Sequence, residues 1–144
     1  MYSEIMLVPM REELTRVGVE ELRSAEAVDQ TLRSSSGTTM VIVNSVCGCA
    51  AGRMRPAVRL ALGHTTRPDK IVSVFAGQDT EATEQARRYF APHPPSSPSI
   101  AIFREGKLVH FMPRHQIESR DAQAIAADLA AAFDQFCAKT SLSS

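Results

Sequence analysis

Two of the three cysteines in this 144-residue chain stand one residue apart, in the stretch NSVCGCAAG at 44–52. An apolar, β-branched run precedes them and an Ala/Leu/Arg-rich run follows, so Cys47 falls where a strand gives way to a helix. The first turn of a helix offers backbone N–H groups without intrahelical partners, together with the positive end of the macrodipole. Both favour a thiolate, which makes Cys47 the better placed nucleophile. A disulfide between Cys47 and Cys49 would close a ring of about 11 atoms, smaller than that of a C-x-x-C pair, while still needing its preferred dihedral near ±90°. Strain in that ring raises the reduction potential, about 30 mV for every ~1.4 kcal/mol, so the spacing predicts an oxidising pair. Gly48 supplies the backbone freedom the ring requires.

The same two thiolates could instead serve zinc or copper. Further ligands are not evident: there is no second cysteine pair, and His64, His93, His110 and His115 lack the tight spacing of a metal site. A metal-binding or metal-delivery protein built on Cys47 and Cys49 is the alternative to thiol chemistry. The blander alternative treats both as small buried hydrophobes at a strand end.

The elements that must position the motif follow from periodicity. TTMVIVNSV (38–46) is a strand covered on both faces, and KIVSVFAG (70–77) is a second one. A helix is expected over 48–62, with Pro56 kinking it or lying near its start. Asp79 can cap a helix TEATEQARRYF. APHPPSSP (91–98) must be an irregular loop. SIAIF (99–103) and KLVHFM (107–112) form a hairpin through Gly106, and a last helix runs from Gln116 to Phe136. Ahead of the central strand, one helix is expected over Pro9–Val17 and another after Ser24 as its N-cap, broken by SSSG at 34–37. This order predicts an α/β fold: a mixed sheet flanked by helices, parallel at its covered strands and antiparallel at the hairpin.

Sixteen basic and sixteen acidic residues leave no net charge, which argues against nucleic acid or an anionic membrane as partner. No apolar window approaches the length of a membrane span, and the acid-bearing N-terminal segment does not resemble an export leader. A cytoplasmic protein is expected, and in a reducing compartment neighbouring cysteines are more often reactive than structural.

Strand, cysteine motif, helix, strand, helix, Pro-loop, hairpin and helix is the thioredoxin-like order, and PSIAIFREG (98–106) resembles the thioredoxin Pro-strand-Gly pattern. On that resemblance Pro98 is the cis-proline facing the sulfurs. More specifically, VNSVCGCAAG and PMREELTRVGVEEL resemble the bacilliredoxin family, small bacterial thioredoxin-fold proteins with a CGC motif. The resemblance implies a thiol-disulfide oxidoreductase or isomerase without cofactor. Its partners would be S-thiolated client proteins and a low-molecular-weight thiol, bacillithiol or an analogue. Cys47 would attack the mixed disulfide and Cys49 resolve it. Residues 1–144 would form one thioredoxin-like domain, 1–37 a helical extension and 38–136 the redox core.

Where thioredoxins place a buried acid, six residues before the first cysteine, this chain has Val41. Proton handling would then fall to water or the substrate. Asn44 and Ser45, at the C-terminal end of the strand where α/β sheets carry their sites, either bond the motif backbone or finish the turn. Arg53, Arg55 and Arg59 follow the motif. At least two of them read as a solvated basic face, leaving one to lower the Cys47 pKa or attract an anionic thiol. Cys137 reads as a partly buried or terminal cysteine, and the histidines form no relay.

Overall fold

All seven residues of strand β2 (Thr38–Asn44) are buried, as a β-branched run packed on both faces requires. The computed structural model describes residues 3–33 and 36–138. In it β2 is the centre of a five-stranded sheet with β1 (Glu20–Glu21), β3 (Lys70–Phe75), β4 (Ser99–Arg104) and β5 (Lys107–Met112), in the order β1-β3-β2-β4-β5. β3 runs parallel to β2 and β4 antiparallel, so the sheet is mixed.

Alternate side chains of β2 enter two cores. Met40 and Ile42 pack with Leu14, Met54, Val58, Ile125, Leu129 and Phe133 on one face. Val41 and Val43 pack with Val28, Leu32, Val72, Val74, Ala86 and Phe103 on the other. Helices α1 (Glu4–Thr15), α3 (Arg55–Ala61), α5 (Arg114–Glu118) and α6 (Ala122–Phe136) contribute to the first core, and α2 (Ala25–Leu32) and α4 (Thr80–Tyr89) to the second. The N-terminal segment is built into both, through Leu14 and Val19 in one and Leu22, Val28 and Leu32 in the other.

Ser24 caps α2 by accepting from the Ala27 N–H at 3.1 Å, while Ser34 and Ser35 of the expected breaker lie outside the described residues. The hairpin turns through Glu105 and Gly106, both at positive φ (51° and 77°), the signature of a type I′ turn.

Several boundaries differ from expectation. α1 starts at Glu4 and carries Pro9 inside it, where an exposed face lets water satisfy the carbonyl that proline leaves free. β1 is two residues long, too short for any period to show, and pairs with β3 at the sheet edge. Asp79 stands at the N-cap of α4 but makes no side-chain cap bond, because its carboxylate is held by Arg11 at 2.7 Å. The helix after the motif is not uniform: Gly48 and Cys49 begin it, Ala50–Met54 form a π-helical turn, and α3 resumes with Pro56 in its first turn. The wider turn ends at Met54, two residues before Pro56, which has no N–H to give. The expected single helix 116–136 is two helices, α5 and α6. Asp121 accepts from the Ala124 N–H at 2.8 Å and so starts α6 afresh.

Candidate functional site

The register of the sheet brings the sequence-selected residues to one edge. Asn44 ends β2 opposite Phe75 of β3, and Val43 faces Ser99 of β4, which sets Pro98 beside Asn44 at the mouth of the motif loop. Pro98 is buried, and its peptide bond with Ser97 is cis, the geometry the thioredoxin resemblance implies.

Asn44 and Ser45 bond the motif backbone. The Asn44 side-chain oxygen accepts from the Ser45 N–H at 2.9 Å, and the Ser45 hydroxyl accepts from the Cys47 N–H at 3.1 Å. The Cys47 carbonyl then accepts from Ala50 and Ala51, which places Cys47 at the start of the helical backbone. The loop is anchored from below by Arg55. This residue is only 2 % exposed, and it donates to Asn44 Oδ1 (2.9 Å), to the Ser45 carbonyl (2.8 Å) and to Glu13 of α1 (2.9 Å). Arg55 is therefore not part of a solvated basic face. Of the other two arginines, Arg59 is exposed and Arg53 donates to the Arg120 carbonyl at 2.6 Å.

The cation at the sulfurs comes from elsewhere. Arg114, at the start of α5, directs Nη2 to Cys49 Sγ at 3.7 Å, Nη1 to the Ser97 carbonyl at 3.2 Å and Nε to Glu118 at 3.0 Å. Glu118 Oε2 in turn lies 3.9 Å from Cys49 Sγ. Neither residue was visible as a site member in the sequence. The i,i+4 spacing of Arg114 and Glu118 was the available signal, hidden by reading their surroundings as a strand exit and a long helix.

The two thiols are held differently. Burial pushes the Cys47 thiol up and is the largest single influence on it. The Cys49 N–H (3.3 Å from Cys47 Sγ), the Cys49 thiol, the Arg114 charge and the Ala50 N–H together outweigh it and bring its pKa below the ordinary cysteine value. Cys49 is pushed up, first by its hydrogen bond to Cys47, then by burial and by the negative charges of Cys47 and Glu118. The pair is thus asymmetric, with the thiolate form favoured at Cys47 and the thiol form at Cys49.

A cavity of about 370 Å³ is lined by Arg114 and Glu118, the two residues that reach Cys49, and by Phe111, Pro113 and His93, the last stacked on Phe111 at 4.4 Å between centroids. Cys137 lies at the other end of the sheet. Its thiol meets Thr38, six residues from Asn44 along β2, a span of about 20 Å, and burial pushes its pKa up. It is out of reach of the motif. Among the described residues no three His, Cys, Asp or Glu side chains are grouped to hold a metal ion, and no helix is long and apolar enough to cross a membrane.

Comparison with known proteins agrees with this geometry. The model of the disulphide isomerase family matches residues 2–137. A bacilliredoxin of Koribacter versatilis is 61% identical over 97% of each chain, and one of Halalkalibacterium halodurans is 50% identical over 94% of each. Among solved structures, a thioredoxin of Malassezia sympodialis superposes with a TM-score of 0.58 at 16% identity, covering 84% of this chain and 92% of its own. A thioredoxin variant of Halobacterium salinarum gives 0.58 at 16% identity over 86% and 95%. The thioredoxin fold, the Cys-Gly-Cys pair at its helix start and near-full-length identity to bacilliredoxins place the chain in the disulphide isomerase family, as a bacilliredoxin-like thiol-disulfide oxidoreductase.

Proposed function

We propose that this protein removes a low-molecular-weight thiol, bacillithiol or a close analogue, from S-thiolated client proteins in the bacterial cytoplasm. Cys47 attacks the mixed disulfide and takes the small thiol. The client leaves as a free thiol, and Cys49 then displaces the small thiol to leave a Cys47–Cys49 disulfide. Gly48 gives the ring its freedom, Asn44 and Ser45 hold the loop, and Pro98 forms the wall that faces the client.

The observation that carries this reading is the asymmetry of the pair. The lowered Cys47 favours the attacking thiolate and the raised Cys49 favours the thiol, so Cys47 is the better nucleophile of the two. The adjoining cavity of about 370 Å³ supports a small molecule as the carried thiol, since it falls in the size range of ligand pockets.

The test is intact mass after incubation with an S-thiolated client. Cys49→Ser should accumulate the small thiol as a stable adduct on Cys47, and Cys47→Ser should stay unmodified. Failure of either cysteine to accept the thiol, with zinc or copper retained at stoichiometry through purification, would replace this reading with metal binding.

A further inference from the structure

Val41, 1 % exposed within an apolar core, occupies the strand position six residues before Cys47 and offers the second cysteine no proton acceptor there. The charged groups that face Cys49 are Cys47 from its own loop, and Arg114 and Glu118 from α5. In the resting protein Cys47 Sγ itself accepts the hydrogen bond from the Cys49 thiol. Once Cys47 is thiolated that acceptor is gone, and Cys49 must still lose its proton to attack.

We propose that Glu118 is the catalytic base that takes the Cys49 proton in the resolving step. Its Oε2 lies 3.9 Å from Cys49 Sγ. Arg114 holds the same carboxylate oxygen through Nε at 3.0 Å and reaches the sulfur through Nη2 at 3.7 Å. One guanidinium therefore positions the base and stabilises the thiolate that the base creates. The Cys49 proton passes to Glu118. The Cys49 thiolate forms the bond to Cys47 Sγ, and the bond from Cys47 to the carried sulfur breaks, with its electron pair leaving on that thiolate. One disulfide is exchanged for another and no outside oxidant is needed. The Glu118 side chain is 45% exposed, so it returns its proton to water or to the departing thiolate.

This assignment rests on Cys49 being the resolving residue, and one experiment separates the two. Cys47 is loaded with 5-thio-2-nitrobenzoate from Ellman's reagent, and release of the coloured thiolate is followed against pH. That leaving group departs without protonation, so its release reports formation of the Cys49 thiolate. General bases contribute about 10²–10⁴-fold, and an exposed carboxylate that water can partly replace belongs at the low end. Glu118→Gln should therefore release the dye about tenfold to a hundredfold more slowly at pH 7, with the deficit closing as pH rises through the ordinary cysteine range. Glu118→Asp should recover part of the rate. Release from Glu118→Gln at the wild-type rate or faster would overturn the assignment, because a carboxylate acting only through its charge holds the Cys49 thiol up and its removal would speed the step. If Cys49→Ser keeps the dye while Glu118→Gln loses it normally, only the base is wrong. If Cys49→Ser loses it as fast as wild type, the resolving role and the base fall together.

Discussion

Replacing Arg55 with methionine keeps most of the side-chain volume and removes the guanidinium beneath the motif loop. Three hydrogen bonds are lost, two of them to acceptors enclosed by the fold, Asn44 Oδ1 and the Ser45 carbonyl. Asn44 Oδ1 keeps the Ser45 N–H, so the carbonyl is the group left poorest. Hydrogen bonds to a charged group contribute about 1.5–3 kcal/mol each, and the cost of burying the guanidinium offsets part of that. Breaking a fully buried ion pair costs about 3–5 kcal/mol, but the partner Glu13 is 46% exposed and regains water, so the loss should be smaller. We expect about 2–3 kcal/mol, a fall in Tm of about 5–10 °C for a domain of this size. Urea unfolding of the reduced protein measures it, as a lower midpoint at unchanged slope. A Glu13→Gln companion should cost at most about 1 kcal/mol, since among the described residues Arg55 is the charge it pairs with and its own end is in water. A loss below about 1 kcal/mol in Arg55→Met, or one reproduced in full by Glu13→Gln, would refute the claim that Arg55 acts through the loop acceptors. Because the Ser45 hydroxyl holds the Cys47 N–H, the same variant should also alkylate at Cys47 with an altered rate.

Arg114→Gln should move the Cys47 thiol back up toward the ordinary cysteine value, read as a higher midpoint in the pH dependence of iodoacetamide alkylation, and an unmoved midpoint would remove Arg114 from the site. The lowered Cys47 value also couples to stability: between it and the higher unfolded value the unfolded chain binds the extra proton, so the contribution grows as pH rises across that interval and is lost as pH falls through the folded value. Cys49 has the opposite sign, its contribution being present below the unfolded value and lost as pH rises through its own raised one; because Cys47 is the first cause of that shift, Cys47→Ser should flatten both the rise in urea midpoint and the later fall. At Gly48 a Cβ would meet nothing within 4 Å, so Gly48→Val should leave the reduced fold within about 1 kcal/mol of wild type while shifting the Cys47–Cys49 reduction potential or hindering closure. An unchanged potential would count against ring freedom as the role of that glycine.

The parts of this molecule readable from its sequence are those whose causes are local. β2 announces itself because seven consecutive residues bury on both faces, and a cysteine after such a strand falls at a helix start wherever the next residues favour helix. The same holds for the Ser24 cap and the turn at Glu105-Gly106, each set by a few neighbouring residues. The electrostatics of the pair have no such local cause. Arg114 lies 65 residues from Cys49 and Glu118 lies 69 away, and they meet it only because the chain stops one helix at Glu118 and starts another at Ala122. A continuous periodic stripe from Ile117 to Phe136 concealed that break, since Asp121 falls among residues whose spacing suits one long helix. Which of the three arginines after the motif turns inward was hidden for a related reason: Arg55 sits between a π-turn and a proline, where regular helical spacing does not say which face a residue occupies. Chemistry written in two adjacent cysteines is thus tuned by residues from the other half of the chain, and a protein with the same motif but an unbroken last helix would present a different environment to its second sulfur.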